Sequence, residues 1–278
     1  MFFKLLRMGL FFLVSLCIAC LLLAGYALLI EPYWLEVVRV PIKTAKLPEP
    51  FTGTTIVQIS DFHLGNSNNQ AKVHVAVDQV LALKPDLILL TGDFVSTLHS
   101  DEAQVLETEM ARLSAPLGVY AILGNHDWWS SAKKVSDALQ RAGVTLLENS
   151  NVVLEKGPAR LYLAGLEDIY KKPDLRRTLA GIPTGAPVIL MAHEPDQAEM
   201  SVADERIFLQ LSGHTHGGQI RPFFGRSAIA LPLYGRTYDR GYYQIGSLQL
   251  YVNRGIGVTP PPLRLFCRPE ITLFTLEK

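Results

Sequence analysis

Five times along this chain a short apolar run stops abruptly and hands over to aspartate, asparagine or histidine, usually beside a glycine. The segments are Asp61-Phe62-His63, Gly92-Asp93, Gly124-Asn125-His126-Asp127, Ala192-His193-Glu194 and Gly213-His214-Thr215-His216. The runs before them, Thr55–Ser60, Asp86–Leu90, Val119–Leu123, Val188–Met191 and Ile207–Leu211, have the length and composition of strands buried on both faces. In open α/β sheets, ligand sites collect just outside the carboxyl ends of the strands. Five such ends can therefore converge on one crevice. A single Asp-x-His is weak, expected by chance about 0.3 times at this composition. Five of the seven histidines falling at strand ends is a much rarer coincidence. The other two read as ordinary residues, His74 in a predicted helix and His99 in a polar loop.

The remaining pattern alternates. Helices are predicted over Ala71–Leu83, over Asp101–Leu113 with Asp101 as cap, over Ser131–Ala142 and within Glu194–Ala203. After Arg236 the reading turns to strands: Tyr242–Ile245, Gln249–Val252, Arg264–Cys267 and Ile271–Leu276. That is enough for two sheets with helices on their outer faces. With 278 residues and 49% hydrophobic content, the chain can bury one substantial core.

The N-terminus is of another kind. Met8 to Ile30 carries no charge and is long enough, as a helix, to cross a bilayer's hydrocarbon core. Lys4 and Arg7 precede it, and Tyr33 and Trp34 follow where an interfacial aromatic belt belongs. The run is longer than a signal-peptide core and lacks a small-x-small cleavage site, so an uncleaved anchor is expected. The division is then 1–7 as N-terminal flank, 8–30 as transmembrane anchor, 31–53 as a proline-bearing linker and 54–278 as the soluble domain. A single-pass membrane protein is expected, at the inner (cytoplasmic) membrane if the chain is bacterial. Basic residues fall on both sides of the span (Lys4 and Arg7 before, Arg39, Lys43 and Lys46 after), so the facing of the domain stays open.

Composition excludes some functions. Lys+Arg and Asp+Glu balance at 26 each, so bulk electrostatic binding of nucleic acid is not expected. Cys17, Cys20 and Cys267 form neither a disulfide framework nor a thiolate zinc site. The carboxylate, imidazole and amide donors at the strand ends instead suit divalent Mn, Fe, Zn or Co. Two such ions can clamp both oxygens of an in-line displacement at phosphorus.

The ordered set DxH, GD, GNHD, H and GHTH resembles the calcineurin-like metallophosphoesterase superfamily. Asp61-Phe62-His63-Leu64-Gly65, Gly213-His214-Thr215-His216-Gly217-Gly218-Gln219 and Asn253-Arg254-Gly255-Ile256-Gly257, behind an apolar N-terminal run, are similar to bacterial YaeI/YkuE-type phosphodiesterases. The resemblance covers residues 54–278 and implies a four-layered α/β/β/α sandwich with two metal ions, manganese first. Asp61, His63 and His216 would hold one ion and Asn125, His193 and His214 the other, with Asp93 bridging. His126 matches the histidine that stabilises or protonates the leaving oxygen. Asp127 would orient that imidazole, where many relatives have Glu.

Serine/threonine phosphatases of the superfamily extend the second motif to GDxVDRG, and purple acid phosphatases place a tyrosine three residues after its aspartate. Here Asp93 is followed by Phe94-Val95-Ser96-Thr97, which favours diesters or pyrophosphates over monoesters. An anchor biases the substrate toward the bilayer. The resemblance suggests a lipid-linked nucleotide such as UDP-2,3-diacylglucosamine in lipid A biosynthesis, with a cell-envelope polymer or nucleotide as the alternative. A non-catalytic scaffold would have an eroded ligand set, and here every position is filled. Of the seven arginines from Arg221 to Arg268, most read as surface residues. Arg254 is the candidate for gripping a substrate phosphate. Trp128-Trp129 reads as an apolar wall beside the site.

Overall fold

The computed structural model describes residues 2–66, 69–96, 100–221, 227–229 and 231–278, without the side chains of residues 100 and 101. His99, Arg226 and the expected cap at Asp101 therefore lie outside the described residues.

Among the described residues, twelve strands form two six-stranded sheets. The first is built from β1 (Glu36–Lys43), β2 (Thr55–Ile59), β3 (Leu87–Leu90), β4 (Val119–Ala121), β5 (Thr145–Leu146) and β12 (Glu270–Glu277), in the order β1-β12-β2-β3-β4-β5. The second contains β6 (Ser150–Lys156), β7 (Ala159–Gly165), β8 (Val188–Met191), β9 (Ile207–Ser212), β10 (Gly241–Ile245) and β11 (Leu248–Val252), in the order β10-β11-β9-β8-β7-β6. The five strands read from the sequence all appear, and they are parallel within each sheet: β2, β3 and β4 in the first, β8 and β9 in the second.

Strand periodicity explains the layering. Successive side chains point to opposite faces. Ile56, Leu87 and Leu89 pack between the sheets with Leu163, Ile189, Leu209 and Phe274. Val57, Ile88 and Leu90 turn outward, onto Val73, Val77, Leu106, Val135 and Leu139. Those five belong to α2 (Asn69–Leu83), α3 (Ser100–Met110) and α5 (Ala132–Arg141). Leu190, Leu250 and Val252 on the outer face of the second sheet meet Leu179, Ile182 and Ala198. Three apolar layers separate four structural layers, the α/β/β/α sandwich that the resemblance implied.

Three stretches differ from the sequence reading. The expected linker 31–53 is not a free tether. Its residues Glu36–Lys43 form β1, which pairs in parallel along the whole of β12. Pro41 is compatible with this because β1 is an edge strand and gives up no ladder bond on its open side. Ile42 closes one end of the inter-sheet core. The hairpin β6–β7 over 150–165 went unread although its register is regular, Val152 opposite Leu163 and Leu154 opposite Leu161. Conversely, 264–267 is not a strand. Arg264 is fully buried there and its guanidinium donates to the carbonyls of Arg254 (2.8 Å), Gly255 (3.0 Å), Gly257 (2.7 Å) and Cys267 (3.1 Å).

The N-terminal helix α1 runs Phe2–Leu29, six residues earlier than the uncharged stretch begins, and is long and apolar enough to cross a membrane. Of its residues only Ala27 is buried, and Leu, Phe and Ile project on all sides. A helix apolar all round and unburied by protein has lipid as its natural solvent. Its end is docked on the domain: Arg264 N–H donates to the Ala27 carbonyl at 3.0 Å, and the buried Glu31 carboxylate accepts the N–H groups of Phe266 (2.8 Å) and Cys267.

Candidate metal centre

The five strand ends do converge. Asp61, His63, Asp93, Asn125, His193, His214 and His216 are all buried, none more than 7% exposed. Asp93 Oδ2 lies at the centre, 3.4 Å from His63 Nε2 and 3.2 Å from His193 Nε2. On one side His63 Nε2 faces His216 Nε2 at 2.9 Å, with Asp61 Oδ1 3.6 Å from His216 Nε2. On the other, His214 Nδ1 lies 2.9 Å from Asn125 Oδ1. Asp61, His63 and His216 form one group whose donor atoms all fall within 4.8 Å of one another, and Asp93, His193 and His214 form a second.

What holds the imidazoles is as informative as where they sit. His193 Nδ1 is 2.7 Å from the Thr91 carbonyl, His214 Nε2 is 2.8 Å from the Leu233 carbonyl, and His63 Nδ1 is 2.6 Å from Ser96 Oγ. Donating one ring N–H outward leaves the other nitrogen as a lone pair aimed into the cluster. This is the outer-shell arrangement that fixes tautomer and orientation in metal-binding histidines. Sequence reasoning found the rings and missed these anchors, because two of the three are backbone carbonyls of no particular residue type.

The backbone is bent to the same end. Asp61, His63, Asp93, His214 and His216 all have positive φ, between 49° and 71°. Non-glycine residues in this region cost of order 1–3 kcal/mol each and persist only where the surroundings enforce them. The neighbouring glycines make room for the crowding. A Cβ on Gly124 would sit 2.3 Å from Asp93 Oδ1, and one on Gly213 would sit 2.3 Å from Asp61 Oδ2. Both glycines are required by the site rather than by an ordinary turn.

A pocket of about 400 Å³ opens onto this cluster. His126 stands half-exposed at its rim, its ring 4.7 Å from that of His63, and its N–H donates to Asp93 Oδ1 at 2.9 Å. Its ring nitrogen also comes within 4.8 Å of donor atoms of His63 and Asp93, so distance alone does not separate it from the other histidines. Exposure does. The pocket is also lined by the apolar residues Ile229, Leu231, Pro232, Leu233 and Pro260. Trp129 lines the pocket with its ring tilted against that of His126, centroids 4.9 Å apart, whereas Trp128 packs against the apolar core.

Two expectations change. Asp127 makes no bond to the His126 ring. Its carboxylate is fully buried and accepts four backbone N–H groups: Gly124 (2.9 Å) and Asp93 (2.9 Å) on Oδ2, Phe94 (2.8 Å) and Val95 (3.1 Å) on Oδ1. It sits in the first turn of the short helix α4 (Asn125–Ser130), which directs the short side chain back over the helix start, away from the imidazole. It clasps the second and third motifs together. Arg254 is not in the pocket. Its guanidinium is held by Glu270 and, at 2.8 Å, by Glu36. Arg221 pairs with Asp239, and Arg268 with Glu36.

Residues 54–218 match the family described as calcineurin-like phosphoesterase. The chain belongs to this family. It is therefore a metal-dependent phosphoester hydrolase, and its His/Asp clusters suit a binuclear metal centre. The phosphoesterase is 39% identical over 258 residues to the uncharacterized metallophosphoesterase YkuE of Bacillus subtilis, covering 91% of this chain and 89% of YkuE. It is 31% identical over 260 residues to the phosphodiesterase YaeI of Escherichia coli, with 91% and 92% of the two chains covered. A Danio rerio relative named as a transmembrane protein with metallophosphoesterase domain is 30% identical over 270 residues. These are 92% of this phosphoesterase and 60% of that longer protein.

The electrostatics of the phosphoesterase cluster call for positive charge. Burial, opposed by His193 and assisted by Asp93, raises the Asp61 carboxyl to about 7. Burial lowers the His63 imidazole to about 3 and that of His214 to about 4, and holds His216 well below its ordinary value. Burial alone would raise Asp93, but His193, then His63 and His126, keep it well below the usual carboxylate range. His193 is the reverse case: burial would depress it, and Asp93 holds it well above its ordinary value. Asp93 thus stabilises positive charge on its His193 side, while burial keeps His63, His214 and His216 as neutral imidazoles. His193 Nε2 and His216 Nδ1 are buried without a hydrogen-bond partner among the described residues. The donor set fits divalent ions of the borderline class.

Proposed function

We propose that this phosphoesterase is a membrane-anchored two-metal phosphodiesterase acting on a lipid-linked phosphodiester or pyrophosphate. The observation that carries the metal reading is the outward anchoring of His63, His193 and His214, which leaves each inner nitrogen free. Asp61, His63 and His216 would hold one ion, Asn125, His193 and His214 the second, and Asp93 would bridge them, manganese being the first metal to test. When bound, such ions polarise a phosphoryl oxygen and lower the pKa of water for attack.

The chain's own groups do the rest. The pocket orients the diester with its phosphate against the polar wall and its apolar part against Ile229, Leu231 and Leu233. The His126 backbone is tied down by its main-chain N–H on Asp93 Oδ1, and its ring is the group placed at the rim to deliver a proton to the departing alkoxide. The phosphodiesterase YaeI supports diesters, and the transmembrane relative supports α1 as an anchor. A lipid-linked nucleotide such as UDP-2,3-diacylglucosamine combines a pyrophosphate with a lipid part and is the lead substrate to test.

The test combines metal analysis of the purified chain with assays on bis-p-nitrophenyl phosphate and on lipid-linked nucleotides. Two equivalents of metal, and activity lost in Asp93→Asn and His126→Ala, are expected. No hydrolysis of either substrate with any divalent metal would refute the reading. A C-terminal alkaline phosphatase fusion reports the facing, and an active fusion outside the cytoplasm rules out a cytoplasmic lipid A precursor.

A further inference from the structure

The segment 259–266, Thr-Pro-Pro-Pro-Leu-Arg-Leu-Phe, joins the pocket to the membrane helix. At one end Thr259 and Pro260 line the pocket, and Gln219 Nε2 ties the segment to the fifth motif through the carbonyls of Thr259 (2.9 Å) and Pro261 (2.8 Å). At the other end Arg264 N–H bonds the last turn of α1 and Phe266 N–H bonds Glu31. Arg264 follows Pro260 by four positions, so the pocket rim lies within about 14 Å of the residue bonded to the helix end even if the chain is fully extended.

Beyond half-exposed Thr259, what this segment presents outward is apolar. Pro260, Pro261 and Pro262 are exposed, Leu263 is half-exposed, and Arg264, its one charged residue, is turned wholly inward. Phe266 is 58% exposed and held at φ 53°, a backbone conformation that costs a bulky residue energy. Folding the chain for its own stability gives no reason to hold an aromatic ring in that strained position and leave it in water. Beside it Trp34 and Tyr33 are also exposed, with the Arg268 guanidinium 4.7 Å over the Trp34 ring. Exposed aromatics with a basic partner at the end of an apolar helix are the composition of a bilayer interface.

We propose that 259–266 is a second contact with the lipid surface, in which Phe266 and the three prolines enter the interface beside α1. The pocket's apolar rim is then pressed against the bilayer, and the lipid part of the substrate passes sideways into it without crossing water. This rests on α1 spanning the membrane and on the pocket being the substrate site.

The full chain reconstituted in phosphatidylethanolamine/phosphatidylglycerol vesicles tests it. In Phe266→Trp, the additional fluorescence over wild type is expected to shift blue and to be quenched at least twofold by lipids brominated near the headgroup. Phe266→Asn places a residue at ease with positive φ at this position, so folding is not the casualty. It is expected to lower hydrolysis of a bilayer-embedded diester about tenfold while leaving bis-p-nitrophenyl phosphate hydrolysis unchanged. Unquenched fluorescence at position 266, or equal rates of Phe266→Asn and wild type on the embedded diester, overturns the interfacial contact alone. Release of the wild type from vesicles by alkaline carbonate overturns the anchor and the contact together. Loss of wild-type activity on both substrates, with quenching intact, refutes the proposed function and leaves the contact standing.

Discussion

Replacing Asp127 with asparagine separates two roles for the residue that follows the rim histidine. The carboxylate receives four backbone N–H groups, two on each oxygen. Burial and the Asp93 charge push its carboxyl upward. All four partners are donors, however, and a protonated carboxyl would have no acceptor for its proton there, so the ionised form is the one they stabilise. Asparagine has the same shape but only one acceptor oxygen. Whichever way the amide turns, two N–H groups lose their acceptor and meet its N–H2 instead. A buried donor left unpaired costs about 1–3 kcal/mol, so the total is about 4 kcal/mol. At about 2–4 °C per kcal/mol for a domain of this size, the apparent Tm should fall by about 8–16 °C. Because the clasp positions Asp93 and Gly124 at the cluster, kcat/KM should also fall, by about 10²-fold. Circular dichroism melts of the full chain, alongside a pH profile of kcat/KM, measure both. If Asp127 acted by tuning His126, the substitution would shift an ionisation in the pH profile at nearly unchanged Tm, and that result would refute the clasp.

Gly124→Ala places a methyl group 2.3 Å from Asp93 Oδ1 and should reduce phosphodiesterase activity by about 10²-fold or more, with bound metal measured in parallel. Arg264→Lys replaces a four-carbonyl fork by one ammonium group, leaving about two buried carbonyls unpaired. It should cost about 2–4 kcal/mol in a denaturation midpoint. Burial lowers the Lys72 ammonium to about 8, where it donates to Asn69 Oδ1 at 3.0 Å and lies over the Tyr33 ring. Between its folded value and its ordinary value of 10.5 the unfolded chain binds the extra proton, so stability rises with pH across that window and the cost is full below about 8. Lys72→Met should therefore melt higher than wild type at pH 7, and the gain should shrink as pH approaches 10; an equal difference at both pH values would contradict this.

The chemistry of the site could be read from sequence because residue type and position along the chain suffice for it. A buried run ending on Asp, His or Asn names a ligand and places it at a strand end. The layered fold followed from the same alternation, and the uncharged run 8–30 named a helix fit for lipid. Pairing across distance was not legible. Glu36–Lys43 looks like a proline-bearing linker until β12, more than two hundred residues later, supplies its partner. Arg254 reads as a phosphate-gripping candidate and Arg264 as part of a strand, and only folding brings two glutamates against the first and carbonyls around the second. The backbone clasp at Asp127 and the positive φ of five proposed metal-binding residues were equally hidden. Sequence specifies which groups are present, but hydrogen-bond direction and backbone strain arise only once distant segments are packed against each other. For this phosphoesterase the proposed ligand set was written locally, while the outward anchoring of its imidazoles, the clasp that positions them and the docking of the apolar N-terminal helix near the pocket were decided by tertiary structure.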